Sequence, residues 1–526
     1  MVSNPLIRWV WTGTGNEDYS TALSDFRPSD RESLLEMMQG RYLLASKLVD
    51  TNGASPFAID MVHDDWLDDL QAFAWLRHFR DARSDEERSF ARSLAIDWID
   101  RDGGYEPAVW GLALTSRRIL NWLRHFNILV EGANPDDAKI ITRSLGTQIQ
   151  SLKLRAPFAD DPVDALMAAI ALLGVALCDN DREHEIPSRL DKVNQLLDRQ
   201  IDEDGLHRSR SAKQQFMLMV ELHTIRQALL RNSDAYRDEL AEIIESMHRA
   251  LDAISLGTGE PAYFNGTGQM PHDIIVAMQA QTPTRARSTG TAGGYGRLIS
   301  DQSIVVADTG LVPPPEYARH MHSSALAFEF SHGRDLIVCN CGPALSDEEE
   351  SALLFRQGIA HSGPTINALS AAAIPTGGPL KHRVVKIGRD PEIIAEEADH
   401  SLVMRTHGYV DRFGVVLERR LTLLADGHSL VGQERMLKAR GKMSGACAIR
   451  FHLAHQTKVS QAGDMLKLRL ASGQTWNFLW EGADMRVEDS VRQSAYFGFH
   501  RTQQIVLDVL VGEVGEVSWI FTLDDG

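Results

Sequence analysis

The chain has 526 residues, 43% of them hydrophobic and 24% charged, and a formal net charge of −18. That length calls for two or three cores rather than one. The charge argues against general binding to nucleic acid or an anionic membrane surface, which would repel it.

The N-terminal stretch MVSNPLIRWVWTGTGNEDYS has one apolar patch broken by Arg8 and no signal-peptide core. Four cysteines, Cys178, Cys339, Cys341 and Cys447, are too few and too scattered for a disulfide framework. The expectation is a cytoplasmic protein with reduced thiols, and periplasmic export by another route is the alternative.

From about Ser33 to Leu256 apolar residues recur at spacings of three and four. DDWLDDLQAFAWLRHF sets Trp66, Leu70, Phe73 and either Leu76 or His78 near one helix face. FARSLAIDWIDRDGG stops at Gly103-Gly104. SRRILNWLRHFNILV, SAKQQFMLMVELHTIRQALL and YRDELAEIIESMHRALDAISLG continue the pattern, with short breakers such as EGANPDD and PFADDP between helices. Asp160-Asp161 is placed to cap the helix that starts at Pro162. ALMAAIALLGVALC (165–178) is shorter than the ~20 apolar residues of a membrane span and reads as a buried helix. No transmembrane segment is predicted.

From about Gly293 the period becomes two. SIVVADTG, ALAFEFSHG, DLIVCNCG, HRVVKIGRD, SLVMRTHGYV, VVLERRLTLLADG, AIRFHLAH, DMLKLRLASG, TWNFLW, QIVLDVLVGEV and VSWIFTLDDG alternate between turn residues. About a dozen antiparallel strands in a β-sandwich are expected. The joint TPTRARSTGTAGG (282–294) has no periodicity and reads as a linker. The predicted domains are 1–285, helical, and 286–526, sandwich.

Several segments carry a resemblance: DGLHRSRSAKQ (204–214), EPAYFNGTG (260–268), GGYGRLISDQSIVVADTG (293–310), HMHSSALAFEFSHGRDLIV (320–338), AHSGPTI (360–366) and HGYVDRFGVVLERRLTLLADGHSLVGQERM (407–436). In order and spacing they resemble the heparinase II/III-like family of polysaccharide lyases. The resemblance covers most of the chain. It implies an incomplete (α/α) toroid followed by an antiparallel β-sandwich, with an acidic, uronate-containing oligo- or polysaccharide cut by β-elimination in the groove between them.

That reaction removes the C5 proton of a uronic acid and expels the 4-oxygen, so it needs a base, an acid and a group that neutralises the carboxylate. The resemblance implies that Tyr263 and His320 share the acid and base roles, joined by His207 in the Asp-Gly-x-His turn. Asn265, Gln269, Arg208, Arg210 and Arg117 are the candidates for binding the sugar. A run of basic residues (Arg117, Arg118, Arg208, Arg210, Lys213) is expected to form a positive groove if the substrate is a polyanion.

Two departures stand out. Arg210 follows His207 where the family commonly has a Glu, and Ser324 stands where the family motif His-Ala-His-Ala-Asp has its Asp. His320 and His322, read on a strand at i and i+2, would share a face. The resemblance makes His322 and His361 ligands of one structural zinc. The strand that supplies the family's further Asp reads Ile337-Val338-Cys339-Asn340-Cys341 here, so either Cys339 or Cys341 is the candidate replacement, and loss of the metal is the alternative. The departures keep a second reading open: a non-catalytic glycan-binding or cell-envelope assembly protein on the same scaffold. The sandwich strands are compatible with a homodimer.

Overall fold

The computed structural model describes residue 19 and residues 23–60, 63–282, 289–346, 351–396, 400–494 and 498–524. Most of the N-terminal stretch read for a leader, and residues 283–288 of the joint, lie outside the described residues. The chain divides into two compact units. One comprises Met1–Ile201, Met217–Glu245 and Pro271–Pro283, the other Asp202–Phe216, Ser246–Met270 and Thr284–Gly526.

The first unit is built from helices that include Asp64–Gln71, Asp85–Asp102, Leu112–Arg124, Pro135–Arg155, Pro162–Cys178 and Ile186–Gln200. Their starts follow from capping residues that accept the orphan N–H groups of the first turn. Ser84 Oγ accepts from Glu87 N at 3.2 Å, Asn134 Oδ1 from Asp137 N at 2.9 Å and Asp161 Oδ1 from Val163 N at 2.8 Å. Asp161 therefore caps as its position predicts. Leu166–Cys178 is buried throughout. Among the described residues no helix is long and apolar enough to cross a membrane.

The core of this unit gathers Phe73 edge-on to Trp98 and Trp122, at 5.7 and 5.4 Å between ring centroids. An element without a sequence prediction also appears here: a hairpin of β1 (Arg41–Leu44) and β2 (Lys47–Asp50).

The second unit is a sandwich of two antiparallel sheets, consistent with the period-two pattern. Its strands are β3 (Gly290–Ala292), β4 (Tyr295–Ser300), β5 (Ser303–Asp308), β6 (Ala327–His332), β7 (Asp335–Cys339) and β8 (Pro364–Ile366). Next come β9 (Glu392–Glu396), β10 (Ser401–Thr406), β11 (Val415–Leu423), β12 (Ser429–Lys438) and β13 (Ala446–Leu453). The last are β14 (Lys458–Ala462), β15 (Met465–Arg469), β16 (Thr475–Glu481), β17 (Asp484–Ser494), β18 (Gly498–Leu510) and β19 (Glu516–Leu523).

One sheet runs β14-β15-β16-β19-β12-β11-β10-β9, the other β17-β18-β13-β7-β6-β5-β4-β3, with β8 paired to β13. The predicted strand HRVVKIGRD is not one. Val385 makes a single bridge to Ala373, and His382 and Gly388 take φ of 60° and 75°, which breaks an extended run.

The two sheets bury one apolar core. Phe328 stacks on Trp519 at 5.6 Å, and Phe451 meets Trp519 edge-on at 4.9 Å. Gly432 is required there, because a Cβ would lie 2.0 Å from the Trp519 ring. All six residues of β6 are buried, so alternation alone does not describe it. Phe328 and Phe330 join the core cluster. Glu329 and Ser331 point the other way, where the 246–270 segment covers the sheet: Gly257 N donates to Ser331 Oγ at 3.0 Å, and Asn340 Nδ2 to the Tyr263 carbonyl at 3.2 Å.

Candidate functional site

Three of the predicted stretches meet around one buried carboxylate, Asp308, at the end of β5. Its Oδ1 accepts from Arg210 Nη2 at 2.7 Å and from Gly310 N at 2.8 Å. Its Oδ2 accepts from Ser324 Oγ at 2.6 Å and from Asn265 Nδ2 at 3.4 Å. Asp308 is fully buried, and the Arg210 side chain is 4% exposed. Such a pair is held by its geometry and extra hydrogen bonds rather than by charge alone.

Arg210 also donates to the carbonyls of Gly293 at 2.7 Å and Leu311 at 2.8 Å, and its guanidinium sits 4.3 Å from the Tyr295 ring centroid. Tyr295 in turn donates its hydroxyl to the Arg210 carbonyl at 2.6 Å and accepts from Asn265 Nδ2 at 2.6 Å. Asn265 is fully buried, and its Oδ1 accepts from His322 N at 3.0 Å. Asn265 and Arg210, two candidates for the sugar carboxylate, therefore have every side-chain nitrogen and oxygen hydrogen-bonded to their own chain.

His207 is also buried. Its N–H donates to Gln215 Oε1 at 2.7 Å, and its Nδ1 accepts from Ser209 N at 3.1 Å, with Ser209 Oγ at 2.7 Å. An accepting Nδ1 places the ring proton on Nε2 of the neutral imidazole. Burial first and Arg208 second push His207 down to about 4. The ring packs edge-on to Tyr317 at 5.9 Å.

Tyr263 is 2% exposed. Its hydroxyl donates to Gln269 Oε1 at 2.9 Å, and Arg492 lies 4.4 Å over its ring. Burial raises the phenol above its ordinary value, more than Arg492 lowers it. Gln269 donates to Glu260 Oε1 at 3.2 Å and, through its backbone, to Gln493 Oε1 at 3.1 Å. Beneath Tyr263 lies Glu329, whose Oε1 accepts from Asn340 N at 2.7 Å. Burial pushes Glu329 up to about 7 against the pull of Arg492.

The His320-Met321-His322 segment is not a strand, because β6 begins only at Ala327. The two histidines do not share an exposed face: His320 is exposed, and His322 is 2% exposed. The backbone groups here bond to loops rather than to a ladder, which frees the side chains from strand alternation. His320 lies against Gly266, where a Cβ would come 3.1 Å from the His320 carbonyl oxygen. His322 Nδ1 and His361 Nε2 are 3.0 Å apart, and burial pushes His361 down to about 4.

Cys339, the third candidate ligand, is buried with its thiol pushed up by burial, and its charged neighbours are Arg492 and Glu329. Among the described residues no group of three His, Cys, Asp or Glu side chains converges as a metal site. A structural zinc takes four protein ligands. His322 and His361 supply two donors, and the set is incomplete.

Arg117 lies in the first unit, where it donates to Asp69 Oδ1 at 2.8 Å. Arg118 beside it is fully buried, 4.3 Å over the Trp98 ring and bonded to Gln148 Oε1 at 2.9 Å. Arg208 is exposed and borders a cavity of about 540 Å³ walled by Leu311, Val312, the prolines 313–315 and Val384.

Asp308, Tyr295, Glu329 and Arg492 escape sequence reasoning. So does Arg419, which is fully buried on β11 and donates to the carbonyls of Leu326 at 2.6 Å and Ser362 at 3.0 Å. One signal existed: Asp308-Thr309-Gly310 is an Asx-turn pattern, and the turn forms.

The profile of the heparinase II/III-like C-terminal domain matches residues 282–520. FtsZ-localized protein C of Caulobacter vibrioides is 27% identical over 502 residues, covering 90% of this chain and 83% of that protein. The crystal structure of heparinase III superposes with a TM-score of 0.75 at 11% identity, over 99% of this chain and 89% of that one. That of a heparan sulfate lyase HepC mutant from Pedobacter heparinus gives 0.61 at 13% identity, over 96% and 85%. At these identities the two structures speak for the fold, an α/α toroid followed by a β-sandwich.

Proposed function

From a heparinase II/III-like C-terminal domain and a heparinase III-like fold, we propose that this chain is a non-catalytic glycan-binding or cell-envelope assembly protein that works with FtsZ. The observation that carries this reading is the internal bonding of the groups a lyase would turn toward its substrate. Uronate β-elimination needs a donor aimed at the carboxylate and a base whose pKa suits proton removal. Asn265 and Arg210 hold Asp308, Tyr295 and His322 instead. Tyr263 hydrogen-bonds Gln269, and its phenol is raised rather than lowered.

The basic residues give the same support. Arg117 is paired with Asp69, Arg118 is buried and Arg210 is paired with Asp308, so a polyanion finds little of the expected positive run. The relative that spans 90% of the chain is named for its localisation with FtsZ. A cytoplasmic setting suits four buried cysteines without a disulfide among them. The test is co-pelleting of the full chain with polymerised FtsZ. Saturable co-pelleting is expected, and a chain that stays in the supernatant while folded contradicts the reading.

The second reading is a lyase on a small uronate-containing oligosaccharide, with Tyr263 and His320 as acid and base. Two observations favour it: His320 is exposed, and Arg208 lines a cavity of about 540 Å³.

A further inference from the structure

We infer that this chain fastens the segment carrying His320 with a metal-free polar lock, centred on a direct hydrogen bond between His322 and His361, where a zinc-holding relative would use the ion. The inference is independent of whether the protein is a lyase.

The tautomers follow from the partners. His361 Nδ1 lies 2.8 Å from the Gln357 carbonyl oxygen, which can only accept, so Nδ1 carries the proton. The other nitrogen of that neutral ring, Nε2, is then an acceptor. The N–H that it accepts at 3.0 Å is His322 Nδ1–H. Both nitrogens that face each other are thereby satisfied by one proton. An ion between them would have to displace that proton and find further ligands.

Those ligands are committed elsewhere. Asn340, just past the end of β7, donates to the Tyr263 carbonyl at 3.2 Å and accepts from Ser362 N at 2.8 Å. The Asp308 carboxylate is held by Arg210, Gly310 N, Ser324 and Asn265. Ser324 is informative. An Asp at 324 would set a second carboxylate where Ser324 Oγ now lies 2.6 Å from Asp308 Oδ2, and two carboxylates that close repel. The negative charge has not left this corner; it comes from β5 instead.

The segment has no slack for an ion to take up. The Met321 carbonyl accepts from Arg356 Nε at 3.0 Å, and His322 N donates to Asn265 at 3.0 Å. Ser323 N donates to the Arg356 carbonyl at 2.8 Å, and Ser323 Oγ accepts from Ala372 N at 3.0 Å. Ser324 holds Asp308. Four consecutive residues, 321–324, are tied by protein groups to Asn265, Asp308, Arg356 and Ala372 of the second unit.

The test uses the full chain without a polyhistidine tag, grown with added zinc and dialysed. Elemental analysis is expected to find zinc far below one per chain, and the unfolding temperature is expected to move by less than about 1 °C on adding EDTA. Zinc near one per chain, or a drop of several degrees with EDTA, overturns the lock. Two variants separate the cases further. His361→Gln is expected to keep a higher unfolding temperature than His361→Ala, because an amide can still accept from His322 and donate to Gln357; equal losses contradict the lock. Ser324→Asp is expected to lower the unfolding temperature without zinc uptake, whereas zinc uptake by this variant shows a latent metal site and refutes the inference.

Discussion

The sandwich core around Phe328, Phe451 and Trp519 and the rim around Asn265, Asp308 and His322 belong to the same compact unit and are stabilised differently. The core is apolar surface packed between two sheets, so many side chains share its free energy. The rim is a polar network in which each group has one or two partners, and losing one partner strands another in a buried place. The core therefore tolerates change in proportion to volume lost. The rim should respond all or none, residue by residue.

Acid should strain both compact units at once, His78 and His125 lying in the first and His207 in the second. His78, His125 and His207 are buried and neutral, with burial holding them at about 3, 4 and 4. Their folded values lie below the unfolded value, so the unfolded chain binds more protons and stability rises with pH. The contribution is complete above about 6.5 and is lost as pH falls from there toward 4. Each histidine forfeits about 2 kcal/mol by pH 5. Denaturant unfolding at pH 7 and pH 5 checks this; equal midpoints would contradict it.

Within the core, Trp519→Ala is expected to destabilise by about 4 kcal/mol, since the ring contacts both sheets and sits against Gly432. On the rim, Asp308→Asn removes one charge and strands the Arg210 guanidinium, at about 3 kcal/mol. This small change of shape should rival the large core deletion, and a loss under 1 kcal/mol in urea unfolding would show that the rim is not a tight network. Tyr263→Phe removes one hydrogen bond, to Gln269, and is expected to lower stability by about 1 kcal/mol.

The core was legible because period-two alternation reports burial directly. VVLERRLTL, AIRFHL and VSWIFTL all form the expected strands. The β1–β2 hairpin was not legible. Its turn residues Ala45 and Ser46 take φ of 45° and 61° without the Asn-Gly or Asp-Gly that usually signals such a turn.

The rim was legible only in which residues matter. Resemblance pointed to Asn265, Arg210, His322 and His361, and all four are buried in one neighbourhood. Their partners were hidden because the bonds join residues far apart in the chain: Arg210 to Asp308 spans 98 positions, and Asn265 to His322 spans 57. No local pattern encodes a pairing at that distance. The reading of His320 and His322 on one strand failed for a related reason, since the backbone of Met321, His322 and Ser323 bonds to residues 265 and 356 rather than to a neighbouring strand.

The central claim is that the groups a lyase would need are held by the protein itself. The most direct measurement is near-ultraviolet absorbance of unsaturated uronate product on heparan sulfate, heparin, hyaluronan, chondroitin, alginate and glucuronate-rich oligosaccharides, with Tyr263→Phe and His320→Ala run alongside. The account predicts no rise in absorbance on any of them from folded wild-type protein. A rise that disappears in both variants would contradict it and establish β-elimination.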